Sequence, residues 1–215
     1  HTARLPVGRR AVIPGNNKTN GMMSATGFVS TAADLVRFFS QLLPSVESRI
    51  LTPESRRDMI RPHWRDRDSS LGRFYGLGVY CGQIGMWDYF GHLGRFQGSS
   101  TRTAVLPGVG LAVSVLTNAT DGPAAQWLDG IVHILRRFHD NAPTSESANW
   151  NGRWWTLWGA VDFVAVGNRI EVFSPALYPP FSEASEVTLT SADRGVVTRA
   201  PGTDRYGEPV RRILD

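Results

Sequence analysis

The sequence predicts an α+β chain: an antiparallel sheet with flanking helices, followed by a small β-rich C-terminal domain. Three observations carry this. Ser99-Ser100-Thr101-Arg102-Thr103-Ala104-Val105-Leu106 and Leu111-Ala112-Val113-Ser114-Val115-Leu116-Thr117-Asn118 are β-rich runs on either side of Pro107-Gly108-Val109-Gly110, the pattern of an antiparallel hairpin. Apolar residues at helical spacing mark one helix through Leu35, Val36, Phe39, Leu42 and Leu43, and another through Trp127, Ile131, Ile134, Leu135 and Phe138. Beyond the polar, turn-rich stretch 141–149 the texture changes to short β runs. The expected division is therefore 1–140, a linker at 141–149, and a separate sheet or partial barrel at 150–215.

Residues 1–20 supply charge and turn chemistry without a period (Arg9, Arg10, Pro14, Gly15, Asn16, Asn17) and read as an extended surface arm. Thr31 is a helix N-cap, with Asp34 near the positive helix end. Thr52-Pro53 caps and opens a second helix that runs to about Ile60, ahead of Arg61-Pro62. The polar stretch from Pro62 to Gly72 reads as a surface loop, and Phe74–Tyr80 as a strand. The helix at 124–139 is expected to pack its apolar stripe on the first sheet. Further on, Trp154–Gly159 precedes Val161–Val166, with Gly167-Asn168 as a hairpin turn before Arg169–Phe173. Glu186–Leu189, Gly195–Arg199 and Pro209–Ile213 continue the β texture.

Composition narrows the function classes. The 215 residues are 41% hydrophobic, enough for a core and against disorder. No run reaches the roughly 18 apolar residues of a membrane span. The net charge of +4 comes almost wholly from arginine, Lys18 being the only lysine. The arginines alternate with acids, as in Arg65-Asp66-Arg67-Asp68, which suits a salt-bridged surface and not a nucleic-acid stripe. Cys81 has no partner for an internal disulfide and reads as a small buried hydrophobe. His1 opens the chain without an initiator Met or a signal core, so a cut or processed chain is expected.

The chemistry centres on Tyr89-Phe90-Gly91-His92-Leu93-Gly94-Arg95-Phe96-Gln97-Gly98. Glycines on both sides of His92 let another chain or a substrate approach the backbone. A lone histidine between glycines also suits a structural turn. The wider stretch resembles the third active-site motif of the serine β-lactamase and penicillin-binding protein superfamily, where His-x-Gly stands in several branches for Lys-Thr-Gly. Those branches include D-alanyl-D-alanine carboxypeptidases, D-aminopeptidases, and class C β-lactamase-like hydrolases and esterases. Gly21–Asp34, with its Ser-Thr-x-x-Asp helix start, and Tyr75-Gly76-Leu77-Gly78 match the same superfamily. The resemblance covers residues 21–139 and is looser over 150–215.

The resemblance implies the C-terminal part of a β-lactamase-like serine hydrolase that acts by acyl transfer on amide, β-lactam or ester substrates. It implies His92, Gly94 and Arg95 as catalytic residues, the Arg95 backbone amide being one of two oxyanion donors, and Gln97 beside the substrate. The Arg95 side chain either steers an anionic substrate or simply faces solvent. The superfamily's Ser-x-x-Lys nucleophile motif is absent, since Gly15 stands three places before Lys18. No Tyr-x-Asn occurs, and the Ser-x-Asn match Ser147-Ala148-Asn149 falls in the linker. The expectation is a chain inactive alone, whose partners are its substrate and a missing N-terminal half, or another copy.

Trp150, Trp154, Trp155 and Trp158 read as the core of the second domain, with a sugar-binding platform as the other option. His63, His133 and His139 lack metal-ligand spacing, and no Gly-rich phosphate loop is present, so neither metal nor cofactor is expected. The competing function class is a non-catalytic β-rich interaction or carbohydrate-binding module.

Overall fold

The computed structural model describes residues 2–4, 10–12, 18–67, 73–139, 142–177, 180, 184–201 and 205–213. It divides into two compact units, His1–Leu128 and Asp129–Asp215. Both are built on antiparallel meanders, in keeping with the α+β class expected from sequence.

In the first unit, β1 (Thr2–Arg4) pairs antiparallel with β2 (Arg10–Val12). The remainder of the segment read as an extended arm lies mostly outside the described residues. A short 3-10 turn leads into the single turn of α1 (Met23–Thr26). Then α2 (Ala32–Ser40) starts where Thr31 accepts a hydrogen bond from the Asp34 N–H, the cap read from sequence. In α3 (Pro53–Ile60), Thr52 accepts from the Ser55 N–H and proline opens the first turn.

The sheet follows as β3 (Trp64–Arg65), β4 (Phe74–Tyr75), β5 (Tyr80–Ile84), β6 (Trp87–Phe96), β7 (Ser99–Leu106) and β8 (Leu111–Thr117), paired in that order. The segment read as a loop from Pro62 thus includes a short edge strand, Trp64 pairing with Tyr75; residues 68–72 lie outside the described residues. Gly110, at φ +65°, closes the β7–β8 connection. The predicted stripe of α2 sits in the core: Phe39 and Leu42 pack with Val79, Cys81, Phe90 and Val105, and Leu35, Leu43, Phe74 and Ala112 surround them. Cys81 is buried, and burial pushes its thiol pKa up, so it behaves as the small hydrophobe expected.

The long helix α4 (Ala124–His139) spans the division between the units. Its expected packing face is corrected. Trp127, Ile131, Ile134 and Phe138 are exposed, while Ala124, Leu128, Val132, His133 and Arg136 are buried. The buried face is partly charged because glutamates meet it. Arg136 donates to Glu171 and, at 3.1 Å, to Glu186, and His133 Nδ1 lies 3.4 Å from Glu171. The C-terminal half of α4 is therefore fastened to the second sheet.

That sheet begins after α5 (Ser145–Ala148), a single turn within the stretch read as a linker. It runs β9 (Gly152–Thr156), β10 (Gly159–Val166), β11 (Arg169–Phe173), β12 (Ser185–Ser191), β13 (Arg194–Arg199) and β14 (Pro209–Arg211), each strand beside the next. Trp150 anchors its core, stacked on Phe163 at 6.2 Å, with its indole N–H donating to the Ala192 carbonyl at 3.0 Å. The tryptophans divide by role. Trp150 is 1% exposed, whereas Trp155 and Trp158 are 80% and 87% exposed around the β9–β10 turn.

Candidate active site

β6 carries the sequence-predicted site. β5 pairs with only its first half, from Ile84↔Trp87 to Tyr80↔Gly91. Among the described residues, His92 to Phe96 is paired with β7 alone. Among the described residues, the other edge of this half-strand therefore carries no paired strand.

Two glycines shape the stretch. A Cβ on Gly91 would lie 2.0 Å from the Thr103 carbonyl oxygen, so only glycine allows β7 to approach there. A Cβ on Gly94 would lie 2.7 Å from Thr101 Oγ1, a contact with a side chain that can turn away. Between them His92 is half-buried. Its Nε2 is 3.0 Å from Tyr75 Oη and its Nδ1 is 2.5 Å from the Leu93 carbonyl oxygen.

The surroundings of His92 come from β4, β5 and the residues flanking them. The Tyr80 ring lies 5.1 Å from the imidazole and meets Tyr75 edge-on at 4.7 Å. The Arg73 guanidinium covers the Tyr80 ring at 4.7 Å. Arg73 is held in turn by Asp66, to which Nε and Nη2 donate at 3.1 and 2.7 Å. Burial, with a smaller contribution from Tyr80, pushes the Tyr75 phenol above its ordinary range, so it keeps its proton. Thr103, opposite His92 on β7, shares a 2.8 Å hydrogen bond with Ser114 of β8.

Of the other predicted residues, Arg95 and Gln97 are exposed. The unbroken β6–β7 register from His92 to Phe96 and the alternation of strand side chains set Arg95 on the face opposite His92. The side chains of His92 and Arg95 therefore share no face of β6, and the Arg95 backbone lies on the stretch that β5 leaves unpaired. Sequence reasoning did not single out Tyr75, Tyr80, Arg73 and Asp66. Tyr75 opens the Tyr-Gly-Leu-Gly segment, the one signal that pointed toward it.

Ser147 and His63 are held in structural contacts. Ser147 is buried and its hydroxyl donates to the Gly167 carbonyl at 2.6 Å, so Ser147-Ala148-Asn149 is a packing feature. His63 Nε2 lies 2.8 Å from the Asp58 carbonyl. Among the described residues no group of three or more His, Cys, Asp or Glu side chains could hold a metal ion, and no helix is long and apolar enough to cross a membrane.

No curated protein matches the chain. Among solved structures, it is similar to SurE, with 17% identity over 99% of this chain and 50% of that one, at a TM-score of 0.45. It is also similar to the octameric penicillin-binding protein homologue from Pyrococcus abyssi, with 15% identity over 85% of this chain and 43% of that one, at a TM-score of 0.44. The chain thus spans half or less of the length of these structures. The family model described as Beta-lactamase matches residues 1–134, well over half of the chain and all of the sheet that carries His92, and the chain belongs to the β-lactamase family.

Proposed function

We propose that this chain supplies the His-x-Gly wall of a β-lactamase-like serine hydrolase acting by acyl transfer on amide, β-lactam or ester substrates. The observation that carries this reading is the open edge of β6 beside His92. The substrate adds to that edge as an extended segment. A serine from a Ser-x-x-Lys motif, which this chain lacks, attacks the carbonyl carbon. The new Oγ–C bond places negative charge on the carbonyl oxygen, which accepts a hydrogen bond from the Arg95 backbone N–H. A donor so placed is worth ~3–4 kcal/mol. Collapse of the intermediate breaks the bond to the leaving group, which departs with a proton, and water then releases the acyl group. His92 lines the cleft opposite the serine and holds the substrate or its proton network, and Gln97 lies at the rim.

The test is complementation with a segment that carries Ser-x-x-Lys. In the assembled enzyme, His92→Ala lowers turnover 10- to 100-fold, roughly 1.4–2.7 kcal/mol of transition-state stabilisation. Unchanged turnover contradicts the assignment. One observation favours a second reading, a β-rich interaction or carbohydrate-binding module: Trp155, Leu157 and Trp158 stand exposed on one hairpin. On that reading, Trp158→Ala abolishes oligosaccharide binding and His92→Ala leaves it intact.

A further inference from the structure

We infer that Tyr75 is the positioning residue of His92: its hydroxyl holds the imidazole in the Nδ1–H tautomer and fixes the ring beside the open edge of β6. The inference deepens the proposed hydrolase role and rests on it for its functional meaning. Its structural content stands on two hydrogen bonds.

The Leu93 carbonyl, 2.5 Å from His92 Nδ1, can only accept, so Nδ1 must carry a hydrogen. In the neutral ring Nε2 is then a lone pair, and its neighbour at 3.0 Å, Tyr75 Oη, must donate. The other neutral tautomer would set a lone pair of Nδ1 against the lone pairs of the Leu93 oxygen. Only one neutral arrangement satisfies both contacts, and it is the one that free imidazole side chains in water disfavour. The protein must therefore impose it, and the Leu93 carbonyl and the Tyr75 hydroxyl are the two groups in place to do so.

Tyr75 is itself held. Its ring meets Tyr80 edge-on, Tyr80 is capped by the Arg73 guanidinium, and Arg73 is forked onto Asp66. The chain of contacts runs from Asp66 inward to His92 and joins residues of the β3–β4 connection, β4, β5 and β6.

The experiment reads the tautomer directly and needs no turnover, so its outcome is separate from that of the hydrolase assignment. Long-range proton–nitrogen correlation spectra of the nitrogen-15-labelled chain are recorded above the histidine titration range. His92 is expected to show a protonated Nδ1 and a bare Nε2. In Tyr75→Phe the pattern shifts toward the Nε2–H form or a mixture, whereas Tyr80→Phe leaves it unchanged. Should Tyr75→Phe lose the dispersed amide resonances of the folded chain, Tyr75→Met removes the same hydroxyl. A bare Nδ1 in the unsubstituted chain overturns the inference. So does an unchanged pattern in the Tyr75 variant, or an equal shift in Tyr80→Phe.

Discussion

Arg56 belongs to a short polar helix and would pass for a surface cation, yet it is 1% exposed. Its Nη1 donates to the carbonyls of Gln41, Leu43 and Val46 at 3.0, 2.6 and 2.7 Å. Gln41 is the C-cap of α2 and the other two carbonyls lie in the turns after it, where the Leu43 carbonyl also accepts from the Val46 N–H at 3.1 Å. Arg56→Met preserves much of the packing but strips a charged donor from all three, and is expected to cost about 3 kcal/mol in urea unfolding. A loss below about 1 kcal/mol would mean that other donors serve those carbonyls as well. Arg56 was not legible in the sequence because its partners are backbone atoms on another segment, which leave no side-chain signature. Tyr75 was hidden for a related reason, its partner lying 17 positions away across two strands. The setting of Cys81 was legible because its neighbours are strand residues, and the close approach at Gly91 because a glycine stands there.

Elements defined by local chemistry matched the sequence reading closely. The caps at Thr31 and Thr52, the β7–β8 hairpin and the Gly167-Asn168 turn all rest on interactions within a few residues. The packing face of α4 failed because the helix offers two candidate stripes. Hydrophobicity favoured Trp127, Ile131, Ile134, Leu135 and Phe138, but tertiary structure buried Ala124, Leu128 and Val132 together with His133, which lies 3.4 Å from Glu171, and Arg136, whose charge is met by Glu171 and Glu186. For β6, the glycine geometry makes a contrast that can be measured. Gly91→Ala drives a Cβ into backbone and is expected to cost at least about 1–3 kcal/mol. Gly94→Ala meets only the Thr101 hydroxyl and costs less. Urea unfolding of the two variants checks the order, and equal losses would contradict the close approach of β7 at Gly91.

Across the whole molecule, each unit has its own acid or base chemistry to answer for. In the second, burial pushes the Glu171 carboxyl up, but the His133 hydrogen bond and the charges of His133, Arg136 and Arg199 outweigh it, leaving the pKa below the ordinary 4.5. Such a group contributes stability above its unfolded pKa, and that stability is lost as pH falls through the folded value. Below about pH 4.5 the clamp between α4 and the second sheet therefore weakens. Glu171→Gln should flatten that part of the acid-unfolding curve, and an unchanged curve would assign the acid sensitivity elsewhere. The two-sheet character was readable from the change in texture beyond residues 141–149. The open half of β6 was not, because it depends on where β5 stops pairing. That edge is the centre of the functional account, and active-site labelling tests it most directly. A fluorophosphonate or labelled β-lactam should modify no serine of the chain alone. Once a segment carrying Ser-x-x-Lys is supplied, it should label a serine of that segment. Covalent labelling of a serine within this chain, with turnover, would contradict the account.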